Sequence, residues 1–249
     1  MGQNESLVAR MEDLAEKAIK SGCAASRFLT PAEAQIISEH FTRRRDVILA
    51  FEGGFKGAER TRAVFLNSEW GEYSPASLLA AIKIVYRPQD LLGHRDILGA
   101  LMALGVERDT IGDIVADNGC STLVCLPELS RYIVENLTKA GHVGLSVSEI
   151  NLHELPIKRE DLAEKTVTVV SLRLDAVLCA AFELSRTKAA ELIATGRVQL
   201  DHQVCLQAAK EMRAGSLLSV RGLGRAKLLE TVGISRKGRL FINIGLYNR

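Results

Sequence analysis

The stretch Ser171–Lys227 limits the folds open to this chain more than any other part of the sequence. Apolar residues recur there at helical spacing over Arg173–Phe182 and again over Arg186–Ala194, and short strand-like runs follow. Ser185 is suited to cap the second helix, and Gly196 suits the left-handed conformation that ends it. The pattern predicts a pair of short amphipathic helices followed by a β-hairpin.

Two cations, Arg186 and Lys188, lie in the first turn of the second predicted helix. A helix N-terminus carries partial positive charge, so a cation there costs roughly 0.3–1 kcal/mol. One interpretation is that both side chains join the helix N–H groups in a site for a phosphate. The other is that both side chains extend into water and the small cost is tolerated. These two residues alone do not decide between the interpretations.

Residues 171–249 carry an excess of positive charge. They contain thirteen Lys or Arg and six Asp or Glu, a net charge of +7, whereas the whole chain has +2, which leaves −5 for residues 1–170. This asymmetry points to an acidic polymer as the partner of the basic end. Aromatic residues make up only 5% of the chain, which argues against a stacking platform for single-stranded nucleic acid.

Within the basic segment, three motifs resemble the S4 RNA-binding domain, named after small ribosomal subunit protein four: SLRLD, SR followed by KA, and GRV. The resemblance covers about Ser171–Val220, and it implies that the helix pair and the following loop present basic residues to structured RNA. The predicted RNA-binding residues are Arg173, Ser185, Arg186, Lys188, Arg197, Arg213, Arg221, Arg225 and Lys227. The chain departs from the family at Asp201-His202-Gln203, where the hairpin often has Asn-Gly. The added negative charge argues against phosphate contact by the turn itself.

Residues 1–74 are predicted to form an N-terminal α/β domain. The pattern predicts two helices and then two strands, over Glu5–Lys20, Pro31–Arg44, Asp46–Phe51 and Thr61–Phe65. Thr30 is suited to cap the second helix, with Pro31 at its first position. The glycine-rich segment 52–57 lacks both Walker spacing and a following helix, so a wide hairpin turn is the better interpretation.

Residues 75–157 follow a polar boundary at Glu69–Pro75 and are predicted to form a central domain. Its segments alternate as β-α-β-β-α-β, the split ferredoxin-like arrangement that RNA-recognition modules share. The segments are Ala81–Tyr86, Asp96–Leu104, Gly112–Ala116, Ser121–Leu126, Glu128–Ala140 and His142–Ile150. Asp117-Asn118-Gly119 predicts a hairpin turn between the two middle strands. Because the strands carry no aromatic-rich motif, the pattern alone does not assign RNA contact to this domain.

The triplet His94-Arg95-Asp96 mimics a kinase catalytic motif. Leu101 stands where that motif requires Asn, and the chain has no ATP-binding loop, so a kinase is excluded. We interpret Asp96 as the cap of the following helix. Arg95 and Arg108 are interpreted as a surface pair for RNA or for a protein partner.

Metal and cofactor sites find little support in the sequence. Asp109, Asp113 and Asp117 lack the close spacing of a metal-binding loop. The five cysteines contain no CxxC pair, and the nearest two, Cys120 and Cys125, lie in a strand-like run. Buried reduced thiols are therefore the expected state. The sequence predicts no metal, no cofactor and no catalytic residue.

Four motifs together resemble the YlmH family over essentially the full chain: TPAEAQ, HRDILGALMALGVERDTIGDI, SLRLDAVL and SVRGLGR. The resemblance implies an α+β protein with an N-terminal α/β segment (1–74), a central RNA-recognition-like domain (75–157) and a C-terminal S4-like domain (166–249). It also implies a bacterial protein that binds structured rRNA, with tRNA as a further candidate, on the large ribosomal subunit. The family is linked to quality control of stalled nascent chains, and an older naming ties it to cell division.

Three functional classes remain open at this point. The main prediction is a ribosome-associated RNA-binding protein without catalysis. The alternative is an RNA-modifying enzyme of the pseudouridine-synthase type, since the same helix pair occurs appended to such enzymes. Against it, the chain lacks a nucleotide motif, a metal cluster and a nucleophile–base pair. The third class is a protein-binding module, against which the +7 charge of residues 171–249 argues.

The sequence also predicts where the protein acts. Its N-terminal residues lack the apolar core of a signal peptide. No apolar run approaches the roughly 20 residues that a membrane span needs. We therefore expect a cytoplasmic monomer with no membrane partner.

Overall fold

The computed structural model describes residues 3–155, 162–236 and 238–247. Helices and strands are mixed along the chain, which confirms the α+β class. No helix among these residues is long and apolar enough to cross a membrane. The chain divides into two compact units, Met1–Lys158 and Arg159–Arg249. The first unit contains the predicted N-terminal and central domains together, and their separation near residue 74 stays a prediction.

The N-terminal part of the first unit is a three-stranded antiparallel sheet covered by two helices. Its elements are α1 (Gln3–Ser21), β1 (Cys23–Leu29), α2 (Pro31–Phe41), β2 (Val47–Glu52) and β3 (Thr61–Asn67). The strand order is β1-β3-β2, and apolar residues of both helices form a core with the sheet. The glycine-rich segment 52–57 joins β2 to β3, as the hairpin interpretation predicts.

Helix α2 begins where its local sequence signals predict. Thr30 Oγ1 accepts a hydrogen bond from the Glu33 N–H at 3.3 Å, and Glu33 Oε2 accepts one from the Thr30 N–H at 2.7 Å. This reciprocal pair satisfies two N–H groups that have no helical partner. Pro31 occupies the first helical position, where its missing N–H loses no helical bond. The helix ends at Phe41 instead of at the predicted Arg44.

Strand β1 is absent from the sequence prediction. Its sequence, CAASRFL, has small or polar residues in most positions and lacks the β-branched residues typical of strands. The segment becomes a strand by pairing with β3, where Cys23 lies opposite Leu66 and Leu29 opposite Thr61. The buried Ser26 Oγ accepts the backbone N–H of a β3 residue at 2.9 Å. The partner strand, far away in the sequence, therefore decides the conformation of this segment.

The second part of the first unit contains a four-stranded antiparallel sheet and a separate two-stranded one. Its elements are α3 (Pro75–Leu78), β4 (Ala80–Val85), α4 (His94–Ala103), β5 (Ile111–Asp117), β6 (Cys120–Cys125), α5 (Pro127–Asn136), β7 (Lys139–Ala140), β8 (Val143–Gly144) and β9 (Ser146–Ile150). The strand order is β5-β6-β4-β9, and α4 and α5 share one core with the sheet. This order is the predicted split ferredoxin-like arrangement.

Two predicted segments of this domain are wrong in their limits. The helix predicted over Glu128–Ala140 ends at Asn136, because its last predicted residues pair as β7 with β8. Gly141 has a φ of 59°, which allows the tight turn between these two short strands. The strand predicted over His142–Ile150 is consequently divided into β8 and β9.

Asp96 stabilises the start of α4 from a position other than the predicted cap. The N-cap residue is Gly93, and Asp96 is the third residue of the helix. The Asp96 carboxylate accepts the Gly93 N–H at 2.8 Å. The capping interpretation is therefore wrong in position, although the carboxylate does satisfy a backbone donor at the helix start.

Half-buried arginines connect the two sheets of the first unit. Arg60 donates hydrogen bonds to the carbonyl oxygens of Phe28 at 3.2 Å and Ile111 at 3.1 Å. Arg108 donates to the Ile111 carbonyl at 2.8 Å. Burial lowers the pKa of both guanidinium groups. The interpretation of Arg108 as a surface residue is wrong, because its side chain bonds to backbone within the unit.

The aspartates considered as metal ligands have partners within the protein. Asp109 Oδ1 accepts from Arg27 Nη1 at 3.0 Å, and Asp113 Oδ2 accepts the Glu59 N–H at 2.7 Å. Asp117 accepts the N–H of the residue that follows it. Within the described ranges, no cluster of three or more His, Cys, Asp or Glu is suited to hold a metal. These carboxylates serve the structure of the first unit.

The second unit is a six-stranded antiparallel sheet with a helix pair. Its elements are β10 (Leu162–Val169), α6 (Leu174–Phe182), α7 (Arg186–Ala194), β11 (Val198–Leu200), β12 (Gln203–Val204), β13 (Leu217–Val220), β14 (Gly224–Ile234) and β15 (Leu240–Tyr247). The strand order is β10-β15-β14-β13-β11-β12. Both predicted helices are confirmed.

Strand β10 begins before the predicted start of the C-terminal domain at residue 166. Residues Leu162 to Lys165 pair with Tyr247 to Ile244 and already belong to the sheet. Residues 158–161, which lie between the predicted central and C-terminal domains, are outside the described residues.

Candidate nucleic-acid interface

The helix pair of the second unit turns one stripe of residues toward the sheet. These buried apolar residues are Leu174, Val177, Leu178, Ala181, Ala189, Leu192 and Ile193. Glu183 adopts the left-handed conformation, with a φ of 55°, and ends α6 before the next helix starts. Because the buried stripe fixes the rotation of each helix, Arg173 and Arg186 lie exposed at the two helix starts.

Two of the predicted residues at the start of α7 have partners within the helix. Ser185 is the N-cap, and its Oγ accepts the Lys188 N–H at 3.2 Å. Lys188 Nζ lies 3.0 Å from a carboxylate oxygen of Glu191. An exposed ion pair of this kind contributes about 0–1 kcal/mol. Lys188 therefore already has a carboxylate partner that a phosphate would have to replace.

Three arginines line one cavity of about 540 Å³ beside α6 and α7: Arg173, Arg186 and Arg239. We call them the helix-end cluster. Arg173 Nη2 lies 2.9 Å from Asp175 Oδ2, and the hydrogen bonds to Asp175 raise the pKa of Arg173. Arg186 and Arg239 are exposed, and no salt bridge joins either of them to a carboxylate of a described residue. Two of the three charges are thus available to an external anion.

Arg239 is absent from the predicted set of RNA-binding residues. It immediately precedes β15, whose first residue, Leu240, pairs with Val169 at the end of β10. Since β10 leads directly to α6, this register brings Arg239 to the helix starts. A basic residue beside a strand is visible in the sequence, but its neighbours follow only from the strand register.

A second group of predicted residues surrounds a cavity of about 590 Å³, formed where β11 meets the β13–β14 turn: Arg197, Arg221 and Arg225. We call them the turn cluster. Arg197 Nη2 donates to the Arg221 carbonyl at 2.9 Å, and the Arg221 N–H donates to the Arg197 carbonyl at 3.0 Å. The Arg225 guanidinium lies 4.8 Å from the centre of the Tyr247 ring. Lys227 follows on β14 and is half-buried.

The turn between β11 and β12 explains the departure from Asn-Gly. Asp201 and His202 have φ values of 49° and 67°, the left-handed pair that such a two-residue turn requires. Asp201 Oδ1 accepts the Leu217 N–H at 2.7 Å, and Oδ2 accepts from Ser216 Oγ at 3.3 Å. The carboxylate thus stabilises the loop before β13. Arg213 is exposed in that loop and lines neither cavity.

The central sheet of the first unit has fewer features suited to RNA binding. Its face opposite α4 and α5 is partly covered by the β2–β3 hairpin, since a Cβ on Gly54 would lie 3.1 Å from Val124. Phe28 packs so closely on Gly112 that a Cβ there would lie 2.7 Å from its ring. Strands β4, β5, β6 and β9 contain no aromatic residue. These strands therefore lack the side chains on which RNA-recognition modules stack bases.

Known proteins resemble both units. Residues 79–154 match the family described as "Putative RNA-binding domain in YlmH", and residues 172–217 match the S4 domain family. The chain is 34% identical over 217 residues to the Ribosome-associated protein quality control protein P2 of Bacillus subtilis (strain 168). That alignment covers 85% of this chain and 82% of the relative.

A solved structure shares the fold. The Cell division protein ylmH from Streptococcus pneumoniae superposes with a TM-score of 0.52 at 20% sequence identity. The superposition covers 62% of this chain and 94% of that chain. At this identity the likeness speaks for the fold alone.

Proposed function

The chain belongs to the YlmH family, and we propose that it binds structured RNA on the ribosome without catalysing a reaction. The observation that carries this proposal is the pair of arginine clusters on the S4-like domain. Arg186, Arg221 and Arg239 are exposed there, and none of them forms a salt bridge with a described carboxylate. Arginine is the side chain best matched to phosphate, because its planar guanidinium donates two parallel hydrogen bonds.

The large ribosomal subunit is the proposed site of binding, and quality control of stalled nascent chains is the proposed process. Support comes from the Bacillus subtilis relative, whose name assigns it to ribosome-associated protein quality control. A tRNA on the ribosome is a second proposed contact, because the two arginine clusters offer separate sites for phosphates. The proposed active form is a monomer in the cytoplasm, where ribosomes act.

The helix-end cluster has a further property that favours an RNA backbone. Arg186 begins α7, a helix of nine residues whose first-turn N–H groups and positive end also attract anions. Ser185 satisfies only the Lys188 N–H among them. A phosphate at this point receives charge from Arg186 and hydrogen bonds from the helix start, which offsets the unfavourable position of the cation.

Co-sedimentation with separated ribosomal subunits tests the proposal. We expect the wild-type protein to travel with the large subunit and the double variant Arg186→Ala/Arg239→Ala to stay at the top of the gradient. Arg131→Ala is the matched control, because Arg131 is an exposed arginine of the first unit that pairs with Glu135 at 2.7 Å. Binding to the small subunit alone, or to neither subunit, would overturn the proposed site.

The absence of catalysis has its own test. We expect purified protein to leave ribosomal RNA and tRNA unmodified, as judged by mass spectrometry of digested RNA. Pseudouridine or a methylated base formed in proportion to protein and time would establish the RNA-modifying alternative instead.

A further inference from the structure

The cavity that contains the helix-end cluster has walls of two kinds. Its charged side is formed by Arg173, Arg186 and Arg239, with Asp175 bonded to Arg173. Its other side is apolar and is formed mainly by Val169, Ala176, Cys179, Ala180 and Ala190. A site that took only a phosphate would need the charged side alone. The apolar side is therefore suited to a ligand that has a flat uncharged part as well.

The apolar side adjoins the core of the second unit, since Val169 belongs to that core and Cys179 and Ala180 pack against it. Ala176, Cys179 and Ala180 follow one another at helical spacing on α6, as Arg186 and Ala190 do on α7. Alanine at these positions leaves open space that a larger residue would fill. The volume of about 540 Å³ falls within the range of about 300–1,000 Å³ usual for small-ligand sites.

The charged side of the cavity acts electrostatically on a residue of the apolar side. Burial raises the pKa of the Cys179 thiol and Asp175 adds to the rise, whereas the positive charge of Arg186 opposes it. Arg186 thus acts electrostatically on the same space that the alanines leave open. The cavity therefore suits an occupant with an apolar part for the alanines and an anionic part for Arg186 and Arg239.

We propose that this cavity holds one unpaired nucleotide of the bound RNA, with its base on the apolar side and its phosphate at Arg186 and Arg239. The proposal rests on the proposed function, since it presumes that RNA is the partner. An unpaired nucleotide presents a free base face beside a phosphate, whereas the paired bases within an RNA helix are stacked on both faces. Guanidinium planes also stack on bases, so the arginines serve both parts of the nucleotide.

Two RNA duplexes test the proposal directly. One is a blunt, fully paired duplex, and the other is the same duplex with a single bulged adenosine. We expect wild-type protein to bind the bulged duplex about ten-fold more tightly, which corresponds to about 1.4 kcal/mol. Ala190→Leu, which places a larger side chain in the cavity, should reduce this preference to less than about two-fold. Ala194→Leu is the matched control, at an exposed position of the same helix that does not line the cavity.

Alkylation of cysteine gives an independent readout. Cys179 lines the cavity, whereas Cys205, in the same unit, does not. We expect the bulged duplex to slow alkylation of Cys179 several-fold and that of Cys205 not at all, with the paired duplex slowing neither.

The outcomes separate this proposal from the proposed function. Equal affinity for the two duplexes, or unchanged alkylation of Cys179 with the bulged duplex bound, overturns the nucleotide site and leaves RNA binding standing. Failure of the protein to bind either duplex or ribosomal subunits overturns both.

Discussion

Several arginine side chains of the first unit bond to other groups of the protein, whereas several in the second unit are exposed without an ion-pair partner among the described residues. Arg44 contacts three carboxylates, those of Glu12, Glu16 and Asp46, and these partners raise its pKa. Arg60 bonds to backbone carbonyls. In the second unit Arg186 is exposed and forms no ion pair with a described residue. The same side chain joins elements in one unit and faces outward in the other.

The difference leads us to expect that an arginine of this protein contacts RNA only where the protein leaves its guanidinium without a partner. Residues 1–170 carry a net charge of −5, so carboxylates are at hand to neutralise their arginines. Residues 171–249 carry +7, so cations outnumber the carboxylates available to them. The local balance of partners, and not the number of arginines, separates structural from binding roles. Each of the following experiments tests one side of this contrast.

The largest effect is expected for Arg60→Ala in the first unit. Loss of its hydrogen bonds removes a donor from the carbonyls of Phe28 and Arg108, at about 1–3 kcal/mol each, whereas the Ile111 carbonyl keeps its bond from Arg108, so we expect the free energy of unfolding to fall by about 2–4 kcal/mol. The fluorescence of Trp70, the one tryptophan of the chain, reports unfolding of this unit in denaturant. Arg131→Ala is the control and should change stability by less than about 1 kcal/mol. An unchanged denaturant midpoint for Arg60→Ala would contradict a structural role for this arginine.

The next effect is expected for Arg186→Ala in the second unit, and it concerns binding. Loss of a charge-assisted hydrogen bond of about 1.5–3 kcal/mol lowers RNA affinity about ten- to a hundred-fold. The fold should be unchanged or more stable by about 0.3–1 kcal/mol, because a cation leaves the positive end of α7. Hydrogen exchange of α6 and α7, measured on the same sample as RNA affinity, checks both. A loss of protection of several kcal/mol would show instead that Arg186 serves the structure.

Salt dependence sharpens the contrast further. Each phosphate neutralised contributes a slope of about −0.7 to −0.9 to log affinity against log salt concentration. We therefore expect Arg186→Ala/Arg239→Ala to reduce the magnitude of the slope by about 1.4–1.8. Arg60→Ala should leave the slope unaltered at temperatures where the protein is folded. Wild-type binding that does not change with salt would contradict an interface built on these charges.

The smallest effect is expected for Lys188→Ala. Because Lys188 already pairs with Glu191, its loss should weaken RNA binding by less than about three-fold, in line with the energy of an exposed ion pair. The double variant Lys188→Ala/Glu191→Ala removes the uncompensated carboxylate and should bind like the wild type. A ten-fold loss of RNA affinity in both the single and the double variant would show instead that Lys188 contacts the RNA.

Local signals in the sequence are sufficient for some parts of this fold. The start of α2 at Thr30 and the start of α7 at Ser185 follow from capping residues next to the helices that they begin. The order of strands in the central sheet follows from the alternation of helix and strand segments. In each of these cases the determining residues lie close together in the sequence.

Other parts depend on partners that are distant in the sequence. Strand β1 is set by its pairing with β3, and a segment such as CAASRFL carries no strand signal of its own. The sequence predicts Arg186 and Lys188 alike, but only the fold shows that Glu191 pairs with Lys188. Arg239 joins the helix-end cluster through the pairing of Val169 with Leu240. Sequence patterns identify the charged residues, and the strand register decides which of them meet.

The pairing of β10 with β15 also governs the order in which the two units are completed during synthesis. Leu162 pairs with Tyr247, so β10 lacks this partner until β15 has left the ribosome, whereas the strands described in the first unit all end by Ile150. Pairing across so long a stretch is slow compared with local folding. Arg239 immediately precedes β15 in the sequence. The helix-end cluster is therefore complete only after this residue has been synthesised and β15 has paired with β10. The nascent chain therefore lacks the complete helix-end cluster until β15 has been synthesised.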